Sequence, residues 1–170
     1  GPLSGLVNSA GLLPKPDRME NTSAAKLQRL FEVNVFGSFL CAREAIRRMS
    51  TKHGGKGGSI VNLSSVAALL GGAGRTIDYA ATKAAIDIFT LGLAREVAEE
   101  GIRVNGVRPG PTHTEMLDTP DQAGRLDEMA KVIPMKRVGQ PIEIANAILW
   151  LLSDEASFTT GTVITVSGGR

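Results

Sequence analysis

Tyr79 and Lys83 stand four residues apart in Tyr79-Ala80-Ala81-Thr82-Lys83. On a helix, positions i and i+4 share a face. An ammonium beside a phenol stabilises the phenolate and draws its pKa from ~10 toward neutrality. Such a tyrosine can act as a general acid or base, although the same spacing fits an ordinary helix start with a solvated lysine. Tyr79 is the only tyrosine in the chain. Ser64-Ser65 follows the apolar run Ile60 to Leu63, and hydroxyls at a strand's carboxyl end can meet a substrate oxygen or serve a turn. Asn34 shares a stripe with Leu27, Phe31 and Cys41. A buried amide there needs hydrogen bonds, either as a clamp on neighbouring backbone or as a polar link into a site. Arg108-Pro109-Gly110-Pro111-Thr112-His113-Thr114 puts backbone of little bulk after a strand, which suits a flat ligand.

These residues need elements to hold them. Gly5 to Asn8 reads as a strand running into Ser9-Ala10-Gly11. A long helix is expected from about Ser23 to Ser50, with Thr22 or Ser23 as N-cap. Its stripes Leu27, Phe31, Asn34, Ser38, Cys41, Ala45 and Val35, Phe39, Ala42, Ile46, Met49 predict burial on two sides. Strands at Ile60 to Leu63, Ile102 to Val107 and Val163 to Val166 alternate with helices at Asp78 to Glu100, ended by Gly101, and from Pro141 to Leu152. A short helix is expected near Ala123 to Val132. The pattern predicts an α/β fold with a parallel sheet covered on both faces.

At 170 residues, 42% apolar and 21% charged, the chain fits one globular domain. Its net charge of +2 makes no case for nucleic acid or a membrane surface. The apolar stretch from Ile144 to Leu152 is too short to span a bilayer. The single cysteine, Cys41, excludes an internal disulfide, fits a reducing, cytoplasmic setting and is expected in the core. Two histidines leave little for a metal site. His113 is expected to be a solvated loop residue, and Trp150, Leu149 and Leu152 core or interface. The glycines around Lys56 precede a strand, unlike a phosphate loop. The N-terminus shows no basic stretch before an apolar core, so no secretory signal is expected.

Asn8-Ser9-Ala10-Gly11, Asn34 in Glu32-Val33-Asn34-Val35, Ser65, Tyr79 with Lys83, Pro109-Gly110, and the tail from Thr160-Gly161 to Gly168-Gly169 occur together in one order. That ordered set resembles the classical short-chain dehydrogenase/reductase family along essentially all 170 residues. The resemblance implies a Rossmann-like three-layer sandwich and hydride transfer between NAD or NADP and an alcohol/carbonyl substrate. Tyr79 matches the proton donor or acceptor. Lys83 matches the residue that lowers its pKa and bonds the nicotinamide ribose. Ser65 matches the holder of the substrate oxygen, and Asn34 a helical asparagine that maintains a proton relay. Asn8, Ala10, Gly11, Pro109, Gly110, Thr112 and Thr114 match cofactor-binding positions, and residues 111–139 a substrate lid. The implied assembly is a homodimer or homotetramer, pairing the two long helices across a two-fold axis.

Three departures from the family pattern stand out. Ser9 replaces a second asparagine. Ser65 and Tyr79 are fourteen positions apart, one more than in many relatives. No glycine-rich dinucleotide fingerprint matches, so residues 1–170 resemble a C-terminal portion. Units on the order of 80 residues are expected to precede it, at ~30 residues per βαβ unit. The competing readings are a non-catalytic piece used for assembly or binding, and an extended relative acting on nucleotide sugars. The compact ending at Gly168-Gly169-Arg170 speaks against the latter.

Overall fold

A computed structural model describes residues 1–114 and 124–170. Four parallel strands form one sheet: β1 (Gly5–Asn8), β2 (Gly58–Leu63), β3 (Ile102–Pro109) and β4 (Val163–Val166), in the order β1-β2-β3-β4. The helices are α1 (Ala24–Phe31), α2 (Gly37–Met49), α3 (Ala67–Leu70), α4 (Ile77–Val97), α5 (Arg125–Val132) and α6 (Pro141–Leu152). Successive strand residues point to opposite faces, so Ile60 and Val61 enter different cores. Ile60, Ile102 and Val104 pack against Ala42, Ala45 and Met49 of α2 and Leu93, Ala94 and Val97 of α4. Val61 and Val107 pack against Ile144 and Leu151 of α6 on the other face. This is the Rossmann-like three-layer arrangement.

The expected long helix is interrupted. Glu32–Phe36 is a π-helical turn between α1 and α2, and the Gly37 N–H reaches back to the Glu32 carbonyl. The extra residue rotates everything beyond it about the axis. Ser38, Ala42, Ala45 and Met49 therefore turn inward, while Cys41, expected in the core, is exposed. Ser23 caps α1, accepting the Lys26 N–H at 3.2 Å. The last helix and strand lie where the sequence places them. β2 and β3 each extend two residues beyond the apolar run, since parallel pairing with a neighbour continues there. Gly101, with φ of 75°, follows the 3-10 turn Ala98–Glu100 that closes α4.

Polar groups lock the layers. Asn8 donates to the Asn62 carboxamide oxygen at 2.8 Å, Asn62 donates to the Thr90 hydroxyl at 3.0 Å, and Thr90 donates to the Ile86 carbonyl at 2.8 Å. On the other face, Arg103 donates to the Leu151 carbonyl at 2.7 Å and the Ser153 carbonyl at 3.0 Å, closing the C-terminus of α6. Replacing Arg103 with Leu strands these acceptors, so the folded state should lose about 1–3 kcal/mol. Urea unfolding checks this through a lower midpoint at unchanged slope.

Candidate functional site

The cleft lies at the carboxyl ends of the strands, where open α/β sheets bind ligands. It encloses about 780 Å³, and its walls include Gly11, Ser65, Tyr79, Lys83, Pro109, Gly110, Thr112 and Thr114. α4 supplies Tyr79 and Lys83 one turn apart, with the Lys83 ammonium 5.7 Å from the centre of the Tyr79 ring. Asp78 sets the first turn: one oxygen accepts the Tyr79 N–H at 2.8 Å and the other pairs with Lys26 of α1 at 3.1 Å.

The two serines separate by role. Ser64 is buried, and its hydroxyl donates to the Lys83 carbonyl at 3.1 Å. Ser65 lines the cleft beside Tyr79, where its hydroxyl favours the phenolate, and accepts the Ala67 N–H at 3.1 Å. The backbone bond therefore uses an acceptor position of Ser65 and leaves its O–H free to serve the cleft.

Lys83 donates to the Leu63 carbonyl at 2.8 Å. Burial pulls its pKa down to about 8, opposed by the negative charge of Asp87. Burial pushes the Tyr79 phenol above its ordinary value, and only the Ser65 hydrogen bond works the other way. The net direction in this structure is therefore upward, set by burial of the phenol. The Lys83 ammonium is turned to the Leu63 carbonyl, and desolvation of the phenolate sets the direction.

Asn34, in the π-turn, is 1% exposed and spans three elements. Its oxygen accepts the Leu12 N–H at 2.7 Å, and its nitrogen donates to the Leu12 carbonyl at 3.0 Å and the Thr82 hydroxyl at 3.1 Å. Thr82 in turn donates to the Tyr79 carbonyl at 2.7 Å. Asn34 thus clamps the loop after β1 onto α4. These bonds are those of a clamp on neighbouring backbone, and the clamped loop carries Gly11 to the Lys83 ammonium. A methyl group on Gly11 would lie 3.7 Å from that nitrogen.

Among the other expected contact residues, Asn8 is buried and spent on Asn62 and the Ser38 carbonyl, so its side chain holds the sheet rather than facing the cleft. Ala10 is exposed and off the cleft wall, between Ser9 and Gly11, which line it. Gly110 packs so closely on the tail after β4 that a methyl group there would lie 2.7 Å from the Ser167 Cα. His113 is exposed, as expected of a loop residue. The excursion from Pro111 to Gly139 is tied at its base by pairing of Thr112 with Gly139, and Met129 of α5 lines the cleft. The rest of the expected lid, residues 115–123, lies outside the described residues.

Sequence reasoning missed Thr82, Asn62, Asn105 and the Arg108–Asp87 pair. Thr82 was findable from its i+3 spacing to Tyr79. Asn62 and Asn105 are polar residues inside apolar strands. Asn105 ties β3 to the loop before β4 by donating to the Thr159 carbonyl at 2.8 Å and accepting the Thr162 N–H at 3.2 Å. No group of metal-ligating side chains and no helix long and apolar enough to cross a membrane occurs among the described residues.

The family profile described as enoyl-(acyl carrier protein) reductase matches residues 1–170. The uncharacterized oxidoreductase YgfF of Escherichia coli (strain K12) is 53% identical over 99% of this chain and 68% of its own length. The NADPH-dependent aldehyde reductase 1, chloroplastic, of Arabidopsis thaliana is 39% identical over 99% of this chain and 57% of its own length. The glucose and ribitol dehydrogenase homolog of Oryza sativa subsp. japonica is 38% identical, again over 99% of this chain and 57% of that protein. A solved structure, ElxO with NADP bound, superposes with a TM-score of 0.88 at 32% identity, covering 98% of this chain and 66% of that one. The chain therefore spans little more than half the length of several relatives it matches. With a profile match along every residue and a fold shared with an NADP-bound relative, the chain belongs to the short-chain dehydrogenase/reductase family of oxidoreductases.

Proposed function

We propose that this chain carries the substrate-side half of an NAD(P)-dependent oxidoreductase that reduces a carbonyl to an alcohol, or the reverse. The observation that carries the reading is the convergence of the Tyr79 hydroxyl, the Ser65 hydroxyl and the Lys83 ammonium on one cleft. The donor set suits the nicotinamide and ribose half of the cofactor. Lys83 and the Thr112 and Thr114 hydroxyls can meet its polar groups, and the flat Pro109-Gly110-Pro111 backbone its ring. When bound, the cofactor supplies or accepts the hydride.

The protein's own residues handle the oxygen and its proton. Tyr79 and Ser65 donate hydrogen bonds to the substrate carbonyl. As negative charge develops on that oxygen, the Tyr79 proton transfers to it. The Lys83 ammonium then stabilises the phenolate left behind. A phenol held above its ordinary pKa is protonated at neutral pH. Reduction should therefore run best near neutrality, and alcohol oxidation, which needs the phenolate, should rise toward alkaline pH. Initial rates in both directions across pH 6–10 with NADP and simple aldehydes or polyols check this. Oxidation fastest at the acid end would contradict it.

A homodimer or homotetramer built on α2 and α4 belongs to the same reading. Leu93 and Val97 of α4 face the sheet, while Ile88 is 70% exposed. Phe36 of the π-turn and Phe39 and Leu40 of α2 are also exposed, and Phe39 stacks on Phe89 of α4 with ring centres 3.8 Å apart. This apolar face spans two neighbouring helices, as a helix-pairing interface requires. Light scattering should show at least a dimer at micromolar concentration, and Ile88→Lys should shift it toward monomer. A monomeric parent protein would refute the assembly.

A further inference from the structure

We propose that Asp87, clamped by Arg108, is the counter-charge that keeps the buried Lys83 an ammonium, which makes it a positioning residue for the Tyr79–Lys83 pair. The inference rests on the reading of those two residues given above. α4 carries Tyr79, Lys83 and Asp87 at i, i+4 and i+8, so all three fall along one face. One Asp87 oxygen accepts from the Arg108 Nε at 2.8 Å, with both side chains largely buried. A second Arg108 nitrogen donates to the Val163 carbonyl at 3.1 Å, so β4 fixes the guanidinium and, through it, the carboxylate. The other Asp87 oxygen is buried with no hydrogen-bond partner among the described residues. No ion pair within 4 Å joins Asp87 to Lys83 among the described residues, so the carboxylate acts on the ammonium through space from one helical turn away.

The groups around Lys83 leave few other sources of negative charge. Its own helix presents Tyr79, a neutral phenol, and Asp87. β2 presents the Leu63 carbonyl and the neutral Ser64 and Ser65. The loop after β1 presents the Gly11 backbone, and the π-turn presents the neutral Asn34. β3 contributes Arg108, a cation already paired with Asp87. Asp78, at the head of α4, is paired with Lys26. Burial alone favours the neutral amine. Asp87 works against it, leaving Lys83 with a pKa of about 8 and mostly charged at neutral pH. With the carboxylate gone, desolvation acts unopposed and the midpoint falls.

Titration of the lysine side chains by NMR, in the chain labelled with ¹³C at lysine Cε, reads Lys83 directly; Lys83→Arg identifies its resonance. The midpoint should lie near 8 in the native chain. Asp87→Asn should lower it by on the order of one pH unit. Arg108→Gln, which keeps the carboxylate, should not lower it. The double variant Asp87→Asn with Arg108→Gln strands no charge and should show the same fall, which keeps the test open if the single variant does not fold. An unmoved midpoint in the Asp87 variants, or an equal fall in Arg108→Gln alone, overturns the proposal. The titration needs no turnover, so its failure is separate from failure of the acid–base reading, which Tyr79→Phe decides. In the active enzyme the alkaline limb of the reduction rate should move to lower pH in Asp87→Asn, whereas a merely structural loss would scale the rate equally at every pH.

Discussion

Replacing Tyr79 with Phe should cut turnover by ~10²–10⁴-fold, the usual worth of a general acid or base, and leave cofactor affinity nearly intact. The substitution keeps the ring, its packing and the backbone N–H that Asp78 holds. It removes only the hydroxyl that Ser65 reaches. Tyr79 is also the only tyrosine of the 170 residues, so no other phenol in the chain can take over. Ser65→Ala should cost less, because one donor to the substrate oxygen remains. The measurement is steady-state reduction of an aldehyde with NADPH, alongside cofactor titration by fluorescence. Near-native turnover in Tyr79→Phe would remove it from the mechanism.

A polypeptide made of these 170 residues alone should bind NAD and NADP weakly, with a Kd above ~1 mM, several kcal/mol short of micromolar affinity. In dinucleotide folds the pyrophosphate rests on a glycine-rich turn that joins a strand to a helix N-terminus. Among the described residues no such turn opens onto the cleft: β2 leads into α3 through Ser64, Ser65 and Val66. The glycine-rich stretch Gly71-Gly72-Ala73-Gly74 joins α3 to α4 instead. On the function proposed above, the residues lining the cleft are assigned to the nicotinamide end alone. Among the described residues β1 also pairs only with β2, and Val7 is exposed. An edge of this kind invites pairing with another chain, so the isolated polypeptide should self-associate. Calorimetric titration with both cofactors is the direct check. Micromolar binding with measurable alcohol oxidation would show that these four strands suffice.

Much of the site was legible because its signals are local. Tyr79 and Lys83 meet through helical periodicity alone. Ser65 and Pro109-Gly110 are placed by the ends of apolar runs. Asn34 was legible as a buried polar residue, but its partners Leu12 and Thr82 lie 22 and 48 positions away, and no periodicity within one helix names them.

By itself, the sequence determined the order of strands and helices, the last helix and strand to the residue, and the column of Tyr79 and Lys83 on one helical face. Those follow from periods of two and 3.6 residues and from capping chemistry, which act over a few neighbours. The tertiary structure alone decided the rest. The π-turn at Glu32–Phe36 changed the phase of the helix and sent Cys41 to the surface. Packing of β2 on α4 buried Ser64 and left Ser65 to the cleft. The direction of the Tyr79 shift came from how deeply the phenol is buried, and the Arg108–Asp87 pair one helical turn beyond Lys83 is assembled from α4, β3 and β4. Desolvation and Coulomb energies depend on distances through space, and those distances exist only once elements remote in the chain have packed together.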